Sequence, residues 1–315
     1  MTASGPAGPR PRGRLARALA AAALAIVALP SAAQSVDRSL VARPIDPAAL
    51  AAGKDGGWRR TDFEIYRWDA IPGFILLDTI DYEVQERFFH RLAFFVEKAG
   101  HVGRIEDYGA IAGLHGYFAH NYYNEDLARF FTLAEQRGIA LLPEEEQLIA
   151  ILESNGALRR RVDRYEAIPG GILSISRESG PALRRLHIYH EVSHAVFYLD
   201  RSYAAACRDV WASLTPEVRQ FYRLFLAWQE YNVADNYLLV NEFQAWTLHQ
   251  KEAGVEEYFR KFAASQMERD LPKDHDAYRA VVEMPGEPFL DVHRRLHEAM
   301  LRASPAVTRR LDALR

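Results

Sequence analysis

The sequence predicts an α+β fold that is predominantly helical, with a small β-sheet supplied by its N-terminal part. Three observations carry this. Residues 62–77 alternate apolar with polar side chains and are rich in aromatic and β-branched types, the period of a strand. From residue 81 onward the apolar positions recur mostly at three- and four-residue spacing, the period of a helix. The 315 residues are 49% hydrophobic and 26% charged, enough apolar material for one sizeable core.

At the start, Arg10, Arg12, Arg14 and Arg17 precede an Ala/Leu/Val run over residues 18–29, and Ser31-Ala32-Ala33 offers a small-residue cleavage site. Residues 1–33 therefore read as a secretory signal peptide, with the mature chain beginning at Gln34 and exported to a periplasm or the medium. The apolar run falls short of the roughly 20 residues of a spanning helix, so no membrane anchor is expected after cleavage. A net charge of −3 gives no reason to expect a nucleic-acid partner. Cys207 is the only cysteine, which excludes an internal disulfide, a CxxC redox site and a thiolate-based zinc site; it reads as a small buried hydrophobe.

Residues 34–58, rich in Ala, Pro and Gly, read as a flexible leader into a single domain over residues 59–306, with residues 307–315 as a fraying tail. Within the domain, Phe63 to Trp68 and Phe74 to Leu77 flank a Pro72-Gly73 turn and read as a strand pair. Residues 81–98 turn helical, with Phe88, Leu92, Phe95 and Val96 on one side. Residues 113–123 crowd His115, His120, Asn121 and three tyrosines among glycines, which reads as a packed aromatic loop or a cleft lining. Residues 124–136 and 143–154 follow as helices, and Arg159-Arg160-Arg161 reads as a solvated helix end. Tyr165-Glu166-Ala167-Ile168-Pro169-Gly170-Gly171-Ile172-Leu173 then echoes Trp68-Asp69-Ala70-Ile71-Pro72-Gly73-Phe74-Ile75-Leu76, as two similar strand-turn units in one sheet would. Helices continue over residues 218–228, opened by Thr215-Pro216, then 233–250, 255–268 and 289–302. His275, His293 and His297 sit among charged residues and read as solvent-facing.

The chemistry concentrates in His190-Glu191-Val192-Ser193-His194, inside an apolar helical segment. At about 3.6 residues per turn, His190 and His194 stack on one helix face and can aim imidazoles at one centre. Two neutral imidazoles suit Zn²⁺, and a carboxylate beside them, Glu191, can accept a proton from water and return it to a leaving group. A third ligand is available downstream, where Asp235, Glu242 and His249 are spaced by seven and share a helix side; periodicity alone does not choose among them.

H-E-x-x-H followed by the helical N-E-x-x-A of Asn241-Glu242-Phe243-Gln244-Ala245 resembles the gluzincin class of zinc metallopeptidases. The resemblance spans residues 183–250 and implies a zincin-like catalytic domain with one zinc ion on His190, His194 and Glu242, and Glu191 as general base. Ala245 would let the two helices approach closely. It also implies a substrate-binding edge strand before the motif helix, here Gly171, Ile172, Leu173 and Ser174. His249, Asp235, Tyr231, Tyr237 and His120 are candidates for supporting the ligands or the oxyanion. The expected function is an exported metallopeptidase acting on a peptide or protein. The alternatives are a zinc hydrolase of cell-wall peptide or another amide, and a non-catalytic periplasmic binding or assembly protein with a structural zinc or none. A structural site would close with four protein ligands, whereas a catalytic one keeps an open position.

Overall fold

A computed structural model describes residues 37–315 apart from Asp55 and His115. The expected signal peptide and the first residues of the leader lie outside the described residues, as does His115 of the aromatic segment. The described chain is mixed α/β and mostly helical. Among the described residues no helix is long and apolar enough to cross a membrane.

A five-stranded sheet runs in the order β1 (Arg43–Pro44), β2 (Phe63–Arg67), β3 (Phe74–Thr79), β7 (Gly171–Ser176), β4 (His120–Tyr123). The expected pair of strands is β2 and β3, antiparallel around Pro72-Gly73. The sequence echo has a structural counterpart. Strands β3 and β7 pair in parallel with Phe74 opposite Gly171, Ile75 opposite Ile172 and Leu76 opposite Leu173, the same alignment as the repeat. Their two Pro-Gly turns touch. Gly170 has φ +144°, and a Cβ there would lie 2.1 Å from the Gly73 carbonyl oxygen, so only glycine fits.

Alternation along the strands builds two cores. Tyr66, Phe74, Leu76, Leu173 and Ile175 face the larger one, with α6 (Pro181–Leu199), α7 (Arg201–Ala212), α8 (Pro216–Trp228), α9 (Asn236–His249) and α13 (Pro288–Ala303). Phe63, Ile65, Ile75, Leu77, Tyr122 and Ile172 face the other, closed by α2 (Tyr82–Val96), α4 (Asn124–Arg137) and α5 (Pro143–Ser154). The remaining helices are α1 (Pro47–Ala51), α3 (Tyr108–Ile111), α10 (Val255–Glu257), α11 (Ala264–Asp270), α12 (His275–Val282) and α14 (Pro305–Asp312), with a π-helical turn at Tyr258–Ala263 joining α10 to α11.

Several expectations are corrected. Beyond Val36 the leader is built into the fold. Arg59 bonds Glu64 and the carbonyls of Arg38 and Val41, Asn155 bonds both Leu40 and Ala42, and Leu50 enters the large core. The C-terminal residues form α14, with Val307 and Leu311 buried, and do not fray into a tail. The sheet draws on strands as late as residue 176, so it is not N-terminal alone. Residues 120–123 are a strand, not loop, and the arginine run is strand β5 (Leu158–Arg160), paired with β6 (Tyr165–Ala167). His293 is buried, its Nε2 donating to the Gln250 carbonyl at 3.1 Å, where the sequence suggested solvent.

One ion pair fixes the motif helix to the sheet. Arg184 in the first turns of α6 meets Asp78 of β3 at 2.7 and 2.9 Å and donates to the Leu50 carbonyl at 2.8 Å. Every α6 residue from His187 to Phe197 is buried, as a helix surrounded by core must be.

Candidate metal centre

Helices α6 and α9 pack along each other, with Ala195 and Ala245 wholly buried where small side chains allow close approach. His190 and His194 lie one turn apart on α6, ring centroids 4.8 Å apart. From α9, Glu242 Oε2 comes to 3.7 Å from His190 Nε2, and Oε1 to 3.5 Å from His194 Nε2. Four ligands at the zinc distances of about 2.0–2.1 Å in a tetrahedron stand about 3.3 Å from one another. The observed separations are close to that, and among the described residues this is the one group of three acidic, histidine or cysteine side chains spaced to hold a metal ion.

The chemistry of the donors fits a cation as well. His194 Nε2 and Glu242 Oε2 are buried with no hydrogen-bond partner, an arrangement that is costly unless something is bound between them. Burial lowers the pKa of His190 to about 3 and of His194 to about 4, so both rings are neutral near pH 7 with a lone pair to offer. Burial raises the Glu242 carboxyl, opposed by His194 and by the hydroxyl of Tyr231. His194 Nδ1 faces Asn241 Oδ1 at 2.9 Å; Asn241 accepts there, so the ring nitrogen pointing at Glu242 is the unprotonated one. Asn241 is itself held, donating to the Tyr123 hydroxyl at 3.0 Å and accepting from Gln244 Nε2 at 3.3 Å. Gln244 in turn accepts from Tyr203.

Glu191 is buried beside this group, with Oε2 unpartnered. Burial first, and then the charges of Glu242 and Glu97, push its pKa well up, while a hydrogen bond from Asn121 on β4 opposes them. A cavity of about 170 Å³ opens on Glu191 and His190, walled by Tyr117, Phe118, Tyr231, Trp246 and the imidazoles of His187 and His249.

The other candidates are sorted by position. His249 lines the cavity, its ring stacked on Trp246 and 5.5 Å from that of His190, but it does not join the three-residue group. Asp235 is excluded as a ligand, because it is exposed and its carboxylate caps α9, accepting from the Tyr237 and Leu238 amides. Tyr231 lines the cavity and turns its hydroxyl to Glu242. Tyr237 is half exposed and faces a different cavity. His120 is buried on β4 against Phe89, with Nδ1 3.0 Å from the Tyr122 hydroxyl, and does not line the first cavity.

The substrate-strand expectation is corrected. Gly171, Ile172, Leu173 and Ser174 belong to β7, which is paired with β3 on one side and β4 on the other, so it has no free edge to accept another strand. The outer strand on the β7 side of the sheet is β4. Asn121, Asn241 and Glu97 were given no individual role from the sequence, Asn121 being noted only within the crowded segment 113–123. Asn241 carried a signal, standing next to Glu242 in the second motif, whereas Asn121 and Glu97 are distant in sequence and join the centre only through folding. No protein family, no curated protein and no solved structure matches this chain.

Proposed function

We propose that the protein is an exported zinc-dependent metallopeptidase with a zincin-like catalytic domain of the gluzincin type. The observation that carries the reading is the convergence of His190, His194 and Glu242 from two helices, with Glu191 beside them and a cavity leading in. The described residues bring three ligands together and not four, which favours a catalytic over a closed structural site. Zinc bound there would supply a polarised carbonyl and a water acidic enough to ionise near neutrality.

The chain's own residues do the rest. Glu191, made more basic by burial, takes the proton as water attacks the peptide carbonyl and delivers it to the departing amine. Asn121 holds that carboxyl in place. His249 and Tyr231 border the space where negative charge develops on the carbonyl oxygen, and an imidazole N–H or phenol there would stabilise it. An extended substrate would add to β4, the outer strand next to β7, since β7 is interior.

The test is metal analysis of the chain from Gln34 onward, together with digestion of mixed peptides with and without chelator. One zinc per chain and chelator-sensitive cleavage are expected, and Glu191→Gln should keep the zinc and lose turnover. Full activity in Glu191→Gln would remove the proton-transfer role. Absence of zinc, or of any chelator-sensitive cleavage, would remove the peptidase reading.

A further inference from the structure

Resting on that reading, we propose that a second cavity at the metal centre binds a positively charged group of the substrate, an ammonium or guanidinium, with Glu97 as its counter-ion. This cavity, of about 200 Å³, reaches the centre from the side of Glu242 and is bordered by Glu97, Asp126 with its ion-pair partner Arg129, Tyr123, Tyr237 and Asp235.

Its acids are not equivalent. Asp126 meets Arg129 at 3.2 Å, Asp235 is occupied capping α9, and Glu242 faces the imidazoles. Glu97 is left over. It is 5% exposed, and among the described residues no cation lies within ion-pair distance of it. The adjacent Lys98 ammonium is turned away to Glu230 at 2.7 Å and lies over the Tyr117 ring at 4.0 Å. Burial and then the charge of Glu242 push the pKa of Glu97 well up, opposed by Lys98 and by the Tyr122 hydroxyl beside it, and the carboxyl borders the cavity. An incoming positive group favours the ionised form of this carboxyl, so that binding gains an ion pair and, with it, specificity.

An organic cation fits better than a second metal ion. A hard metal needs several oxygens gathered around it, yet Glu97, Asp126 and Asp235 do not assemble into such a group. Instead the cavity presents two tyrosine rings, Tyr123 and Tyr237, at 6.2 Å and 74°, and aromatic walls attract ammonium and guanidinium groups. Two parts of a peptide carry such a charge, a basic side chain and a free α-amine.

The experiment is calorimetric titration of the zinc-loaded full chain at low salt with three probes: Nα-acetyl-lysine amide, leucine amide and Nα-acetyl-norleucine amide. At least one of the two cations should bind tenfold or more tighter than the neutral probe, and which one does identifies side chain or α-amine. Glu97→Gln should bring the ratio within twofold while zinc stays at one per chain. Tyr237→Lys, at a half-exposed position that tolerates a surface charge, should likewise abolish the preference by like-charge repulsion. Equal binding of all three probes by the unmodified protein would overturn the proposal. So would a preference that survives both substitutions, or a second zinc equivalent that Glu97→Gln removes. Chelator-sensitive cleavage of a neutral, Nα-blocked peptide is measured on the same preparation. Its absence alongside a retained cation preference would sink the peptidase reading and leave the Glu97 site standing.

Discussion

Asn241 offers the sharpest test of how the centre is held. Its Oδ1 accepts from His194 Nδ1 at 2.9 Å, and this bond decides which ring nitrogen carries the proton and fixes the ring's rotation. Asn241→Leu keeps the volume close and removes the acceptor. His194 can then place its proton on either nitrogen, and the ring loses its anchor in the Tyr203–Gln244–Asn241 network. Loss of such an outer partner costs about 10–100-fold in metal affinity, or roughly 1.4–2.8 kcal/mol at 1.4 kcal/mol per tenfold. Competition against a chromophoric chelator at pH 7 measures it directly. Asn241→Asp retains an acceptor at the same place and should bind zinc within a few-fold of the unmodified chain. Thermal unfolding of the zinc-free proteins separates a weakened site from a damaged fold. If Asn241→Leu is folded and binds zinc within threefold of the unmodified protein, the orienting role of Asn241 is refuted.

Two further outcomes concern stability. The buried His120 has its pKa lowered to about 3 by burial, so between pH 6.5 and 3 the unfolded chain binds a proton that the folded chain does not. Stability therefore falls as pH drops through this window, by about 2 kcal/mol at pH 5 from this residue. Denaturant titrations of the zinc-free chain at pH 7.5 and pH 5 should show His120→Gln losing about 2 kcal/mol less than the unmodified protein over that interval; equal losses would contradict the burial argument. Arg184→Met should leave Asp78 buried with only Arg177, at 3.5 Å, as its cation, and destabilise by about 3–5 kcal/mol. A loss below about 1 kcal/mol in urea would show that the pair does not anchor α6.

Some of this protein was determined by its sequence alone. Helical period and residue type placed His190 and His194 on one face with Glu191 beside them, because the helix repeat is a local property of the backbone. The repeat around Pro72-Gly73 and Pro169-Gly170 likewise anticipated two strands of one sheet, and the register of β3 with β7 follows it. Which of Asp235, Glu242 and His249 meets the histidines was a tertiary matter. All three share a helix side, but Asp235 sits at the helix start, where free amides claim its carboxylate, and His249 stacks on Trp246. The position of β7 was equally hidden, since a strand buried on both faces reads alike at an edge or in the interior, and only its neighbours decide. The leader and the last helix look unstructured because they are short and rich in small residues; what orders them is bonding from Arg59 and Asn155 and burial of Leu50 and Leu311, all supplied by distant parts of the chain. Glu97 and Asn121 reach the centre in the same way, carried there by α2 and β4 folding around it, so their roles exist only in three dimensions.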